Sequence, residues 1–236
     1  MEKLNTIALG KIYNKIRRSL WWLKASNTID NHYSNNSSIM LTHHLEAVCH
    51  NIENIFRKPA TGFYGQMFAL LQQLKLDKNQ VKKELRIVSL LHDIGKPAED
   101  KSQIIPHPLT GKPAHMRHGV VSLMAAMEII GADLIPFPRQ QTNIYRTIEL
   151  HDISYGLYRE FNATGDIPKT DRLHYISNKI NLKPSAGLLY LLIFKLADIH
   201  GHDNIADVIW FYTVVKENYF NQLQIELPIP EEKDIR

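Results

Sequence analysis

Apolar residues recur at intervals of three and four along most of this chain, which is the period of a helix with one buried face. Leu85, Val88 and Leu91 show it in one segment, and Leu192, Lys195 and Leu196 show it in another. The pattern predicts helices near 38–56, 65–74, 79–91, 116–130, 138–151, 169–180, 185–200 and 205–221. Ahead of them, 7–23 reads as an amphipathic helix, with Ile12, Ile16, Leu20 and Leu23 on one face and cations opposite. No series of segments alternates with the period of two that strands require, and there are no internal repeats, so the expected fold class is all-α. Two stretches without the pattern, 96–114 (rich in proline and glycine) and 154–168, are long enough to be expected as loops around a site. The polar stretch 27–38 ends in Asn35-Asn36-Ser37-Ser38, a set of turn and cap residues. It suggests a boundary between a basic amino-terminal extension, 1–35, and a main domain, 36–227, followed by a tail, 228–236, expected to fray.

Composition narrows the class. The chain has 236 residues, 44% apolar and 22% charged, which suits a globular protein with a substantial core. The formal charge of +4 lies entirely in 1–35, where Lys3, Lys11, Lys15, Arg17, Arg18 and Lys24 face only Glu2 and Asp30. The remainder carries 22 basic and 22 acidic groups and balances. Cys49, the single cysteine, excludes an intrachain disulfide and fits a reducing compartment, and its neighbours Ala47, Val48 and Ile52 place it in the core. The first ten residues lack a secretory pattern, and the most apolar stretch, 188–197, is too short to span a bilayer and contains Lys195. A cytoplasmic protein is expected.

Histidine carries the candidate chemistry. There are 12 in the chain, and several fall at predicted helix ends: His43 and His44, His92 beside Asp93, His115 and His118, and His151 beside Asp152. Asp198 lies among Leu191, Leu192, Phe194, Leu196 and Ala197. A carboxylate there is costly to bury without a partner, and a cation, a salt bridge or a helix end would each supply one. Neutral imidazoles combined with carboxylates suit divalent transition metals. Gly95 is expected to end the helix that delivers His92 and Asp93, since adjacent helical residues point about 100° apart.

The order His43, His92-Asp93, Asp198 resembles the HD-domain superfamily of metal-dependent phosphohydrolases, whose signature is a histidine, a His-Asp pair and a later aspartate on a helical bundle. The run Leu90-Leu91-His92-Asp93-Ile94-Gly95-Lys96-Pro97 is similar to that family's central motif. His118 with Gly119 and Ser122 looks like the additional histidine of two-metal members, and Ile148-Glu149-Leu150-His151-Asp152 like the next. The likeness spans about 39–203 and is closest to HD domains associated with tRNA nucleotidyltransferases and nucleotide hydrolases. It implies an HD-domain helical bundle in which His43, His92, Asp93 and Asp198 hold one ion. His118, His151 and a bridging Asp93 would hold a second. His43-His44-Leu45-Glu46 favours His43 over His44, with His44 standing where the family has threonine. His115, one turn from His118, is an alternative ligand, a proton shuttle or a substrate contact.

The expected activity is hydrolysis of a phosphomonoester or phosphodiester in a nucleotide or nucleic acid, using one or two divalent ions (Mn, Fe, Ni, Co or Mg). Asp93 and Lys96 are the candidate catalytic residues, and Lys96, His115 and Arg117 the candidate substrate contacts. Lys96 also suits a helix C-terminus electrostatically. No phosphate-binding glycine loop and no G-x-S-x-G is present. A second class is a binding module: Lys11, Lys15, Arg17, Arg18 and Lys24 with Trp21 and Trp22 could dock on nucleic acid or an anionic membrane.

Overall fold

A computed structural model describes residues 3–30, 39–97, 118–181, 185–199 and 205–235, together with the backbone of 104–106 and 113–115. The described chain is helical except for one small hairpin, as the apolar period requires. The helices run α1 (Thr6–Arg17), α2 (Leu20–Ser26), α3 (Leu41–Arg57), α4 (Gly62–Gln73), α5 (Lys78–Leu91), α6 (His118–Leu134), α7 (Pro138–Leu150) and α8 (Ile153–Thr164). They continue with α9 (Thr170–Ile180), α10 (Ala186–Ile199), α11 (Ala206–Val215) and α12 (Glu232–Ile235). Beyond α11 the chain adds a π-helical turn, Lys216–Phe220, and a 3₁₀ turn, Asn221–Leu223. Two strands, β1 (Ile104–Pro106) and β2 (Pro113–His115), pair antiparallel with Ile104 opposite His115.

α10 is the axis. All its residues are buried, from Ala186 to Ile199, and α3, α5, α7, α9 and α11 pack around it. A helix apolar all round belongs at the centre of a bundle. Among the described residues, none of the helices is long and apolar enough to cross a membrane. Cys49 is buried in the core, as its neighbours suggested.

Four expectations need correction. The basic segment is not an appendage: Leu4, Leu9, Ile12 and Ile16 lie in the main core, each worth about 1.5–3 kcal/mol of burial. The helix expected over 7–23 breaks at Ser19, whose hydroxyl accepts from the Trp22 backbone and donates to the Ile16 carbonyl. The break turns Leu20 and Leu23 out to solvent, away from the face of Ile12 and Ile16. The stretch 154–168 is mostly α8, anchored by buried Leu157, with Tyr158 and Phe161 against Trp210. Gly165, at φ +77°, ends it in the left-handed conformation that glycine adopts without a Cβ penalty. The tail does not fray. Leu227 and Ile235 are buried and the Tyr64 hydroxyl donates to the Asp234 carbonyl.

A polar cluster lies within this core. Glu84 of α5 accepts from Tyr190 Oη at 2.5 Å, Asn143 Nδ2 at 2.8 Å and Gln80 Nε2 at 3.0 Å. Burial outweighs these donors and raises the Glu84 pKa to about 7. The folded state therefore holds this proton more tightly than the unfolded chain, in which a glutamate titrates near 4.3. The sign follows: stability falls as pH rises between those two values, by about 4 kcal/mol in total. Glu84→Gln is expected to flatten that part of a denaturation-versus-pH curve while lowering stability at acidic pH little. A curve unchanged in slope would contradict the assignment.

Candidate metal centre

α5 ends at Leu91, and His92 to Pro97 form turns against the start of α6. Gly95 is needed there for close approach: a Cβ would stand 2.5 Å from Ser122 N and 2.9 Å from the His118 carbonyl. The helix does end before His92, as expected, but Gly95 has no positive φ, so the ending does not come from a left-handed glycine. Ser122 seals the junction by accepting from Gly95 N at 2.9 Å. Gly119 does the equivalent on the other side, where a Cβ would meet the Glu149 carbonyl at 2.9 Å. The residues flanking the histidine motif thus pack three chain segments closely enough for their ligand atoms to meet.

Two groups result, His44, His92 and Asp93, and Asp93, His118 and His151, each with its ligand atoms within 4.8 Å of one another. Asp93 belongs to both. Its Oδ2 faces His92 Nε2 at 3.4 Å and His44 Nε2 at 3.6 Å, and its Oδ1 faces His118 Nε2 at 3.2 Å and His151 Nε2 at 3.3 Å. Asp198 Oδ1 approaches His92 Nε2 at 3.3 Å and His44 Nε2 at 3.4 Å, so α10 adds a carboxylate to the first group. The imidazoles meet nitrogen to nitrogen, His44 to His92 at 3.2 Å and His118 to His151 at 3.1 Å. Phe194 closes the floor, 5.1 Å from the His92 ring.

His43 is exposed on α3 and takes no part; His44, one position on, shares the inward stripe with Leu41, Val48 and Ile55. A helical turn of 100° per residue separates the two choices completely. His118 is in the centre. The His115 side chain and Arg117 lie outside the described residues, as do His107, His200 and His202 and much of 96–114. Lys96 is placed at the site, with Nζ 2.6 Å from Asp93 Oδ2.

The sequence reading missed four charged groups. Asp30 is buried, with Oδ2 at 3.6 Å from His44 Nδ1 and Oδ1 at 4.0 Å from Lys96. Asp152 Oδ2 lies 3.7 Å from His118 Nε2 and is 48% exposed, at the open edge of the site. Lys195 Nζ stands 3.7 Å from both Asp198 Oδ2 and Asp207 Oδ2. Lys195 lies on the same buried helical stripe as Asp198, and a charge in that setting is the sequence signal that could have found it.

Electrostatically, the centre is a set of carboxylates kept ionised. Burial disfavours the charge on Asp93, but Lys96, His92 and His118 hold its pKa well below the usual carboxylate range. Burial likewise opposes ionised Asp198, and His44, His92 and Lys195 reverse it. Burial opposes protonation of His92, yet Asp93 and Asp198 lift it to about 10. His118 rises for the same reason, while burial leaves His151 lowered.

These residues fit divalent ions. Two nitrogens on one ion at about 2.1 Å, 90–110° apart, stand about 3.0–3.4 Å from each other, which is the spacing of both histidine pairs. Their Nε2 atoms converge with carboxylate oxygens. No protein-family model matches the chain, and no curated protein or solved structure is significantly similar to it.

Proposed function

We propose that the chain is an HD-type metal-dependent phosphohydrolase that cleaves a phosphomonoester or phosphodiester of a nucleotide or oligonucleotide. One observation carries the reading: the two oxygens of Asp93 divide between two pairs of imidazoles, the disposition of a carboxylate that bridges two ions. The order of ligands along the chain, with His44 in place of His43, agrees with the resemblance of the His92-Asp93 motif. His44, His92, Asp93 and Asp198 would hold one ion, and Asp93, His118 and His151 the other. Imidazole and carboxylate together suit Mn, Fe, Co or Ni, with Mg an alternative occupant. Divalent ions bound there supply acidified water and charge neutralisation for phosphoryl transfer to water.

The chain's own groups do the rest. His92 and His151 are fixed by their outer nitrogens, Nδ1 lying 2.9 Å from the Ser89 carbonyl and 2.8 Å from the Ile148 carbonyl. That holds each Nε2 on the centre. Lys96 keeps Asp93 ionised, and its ammonium, 2.6 Å from Asp93 Oδ2, would offset charge developing on a phosphoryl oxygen held there. Phe194 and the buried helices exclude water from below, leaving Asp152 at the open side.

Metal analysis of the purified protein, followed by a screen of nucleoside mono-, di- and triphosphates, cyclic nucleotides and short oligonucleotides with Mn²⁺, tests the proposal. One or two ions per chain and hydrolysis of at least one substrate are expected. A protein without metal affinity would refute it.

Exposed Leu20 and Leu23 beside Arg18 favour a second reading, docking of α2 on a polyanion or an anionic membrane. Replacing Arg18 and Lys24 by Glu is expected to weaken binding to oligonucleotides or anionic vesicles at low salt, without touching the core. Equal binding by wild type and variant would exclude it.

A further inference from the structure

A histidine of the centre needs its outer nitrogen fixed if Nε2 is to stay on the ion, and His44, His92 and His151 solve this in two ways. His92 and His151 use a backbone carbonyl three residues earlier in their own helix. His44 instead turns Nδ1 towards a carboxylate from another part of the chain, Asp30 Oδ2 at 3.6 Å. We infer that Asp30 is a positioning residue: the charge of its Oδ2, 3.6 Å from His44 Nδ1, holds the ring for metal with its proton on Nδ1. The inference rests on the metal-centre reading above and extends it to the amino-terminal segment.

The backbone shows how this side chain is delivered. Ile29 and Met40 form an antiparallel bridge. Within it Asp30 N donates to the Ile39 carbonyl at 2.8 Å, and Leu41 N donates to the Thr28 carbonyl at 2.8 Å. Asp30 is thereby clamped to the first turn of α3, three residues before His44. Its side chain is fully buried, and its oxygens face two different groups of the site, His44 on one side and Lys96 at 4.0 Å on the other. A buried carboxylate in this position selects the tautomer with the proton on Nδ1 and makes Nε2 a better donor to metal. Its other oxygen lies 4.0 Å from Lys96 Nζ, whose nearer carboxylate is Asp93 at 2.6 Å. The basic segment thus completes the centre, in addition to packing on the core.

Mn²⁺ titration calorimetry on wild type, Asp30→Ala and Asp30→Asn tests this, with thermal midpoints measured alongside. Asp30→Ala is expected to weaken the tighter Mn²⁺ site about 10–100-fold. Asp30→Asn, whose amide oxygen keeps a weaker partial charge beside Nδ1–H, should recover part of the loss. A second readout uses the Zn²⁺-loaded full chain: the Nδ1–H proton of His44 should resonate downfield in wild type and move upfield in Asp30→Asn. Unchanged affinity in both variants, or a wild-type His44 without a downfield Nδ1–H, overturns the positioning role and leaves the metal centre standing. Wild type that binds no Mn²⁺ overturns both. If Asp30→Ala does not fold, the Asn variant and the wild-type resonance decide.

Discussion

Asp93→Asn is expected to abolish hydrolysis and to deplete metal at both halves of the centre. The substitution keeps shape and volume, so the core around it is not opened. It removes the one group whose two oxygens face both histidine pairs, at 3.2–3.6 Å from four Nε2 atoms. An amide offers one neutral oxygen and a nitrogen that cannot ligate, and so serves at most one ion, weakly. A loss of kcat/KM of about 10³-fold or more, some 4 kcal/mol of transition-state stabilisation, is the expected size. Lys96 and His92 also lose their counter-charge, so a moderate fall in thermal stability should accompany it. Elemental analysis and initial rates on the substrate found in the screen check the result together. Retention of both metal and rate would remove Asp93 from the mechanism.

Gly95→Ala is expected to be the most damaging single-methyl change near the site. The added Cβ meets backbone, Ser122 N at 2.5 Å and Val121 C at 2.8 Å, and backbone cannot rotate aside as a side chain can. The turn that carries His92 and Asp93 would have to separate from α6, which carries His118. Destabilisation of about 3 kcal/mol follows from overpacking of this kind, or about 6–12 °C in thermal midpoint for a chain of this length. Metal affinity should fall with it. Gly156→Ala is the control: nothing lies within 4 Å of a Cβ there, in the first turn of α8, and up to about 1 kcal/mol of stabilisation is expected. A Gly95→Ala protein as stable as wild type would mean that the junction yields more easily than its contacts imply.

Much of this was legible along the chain because it depends on local period. The apolar spacing dictates helices, and the bundle follows because each must bury its stripe; α10, apolar on every side, had to be central. The chemistry of the centre was equally legible, since imidazoles and aspartates at helix ends have few uses together. Even His44 was available to the same arithmetic. It is in phase with Leu41, Val48 and Ile55, whereas His43 is in phase with exposed Ala47 and His50. Preferring the motif pattern over the phase gave the wrong neighbour.

Other features arise only from distant segments. Gly95 serves a close approach to α6, and no local property of the sequence distinguishes that from a left-handed helix stop. Lys195 and Asp30 enter the site from α10 and from the amino-terminal segment. Leu20 and Leu23 continue the apolar period of α1 in sequence, yet Ser19 ends the helix and breaks the phase, so they face solvent. By itself the sequence determined a helical bundle with a histidine–aspartate centre, because period and residue type are local properties. Which histidine faces inward, which carboxylate backs it, and how Asp93 divides its oxygens were decided by tertiary packing, because these depend on atoms brought within about 4 Å from segments far apart in the chain.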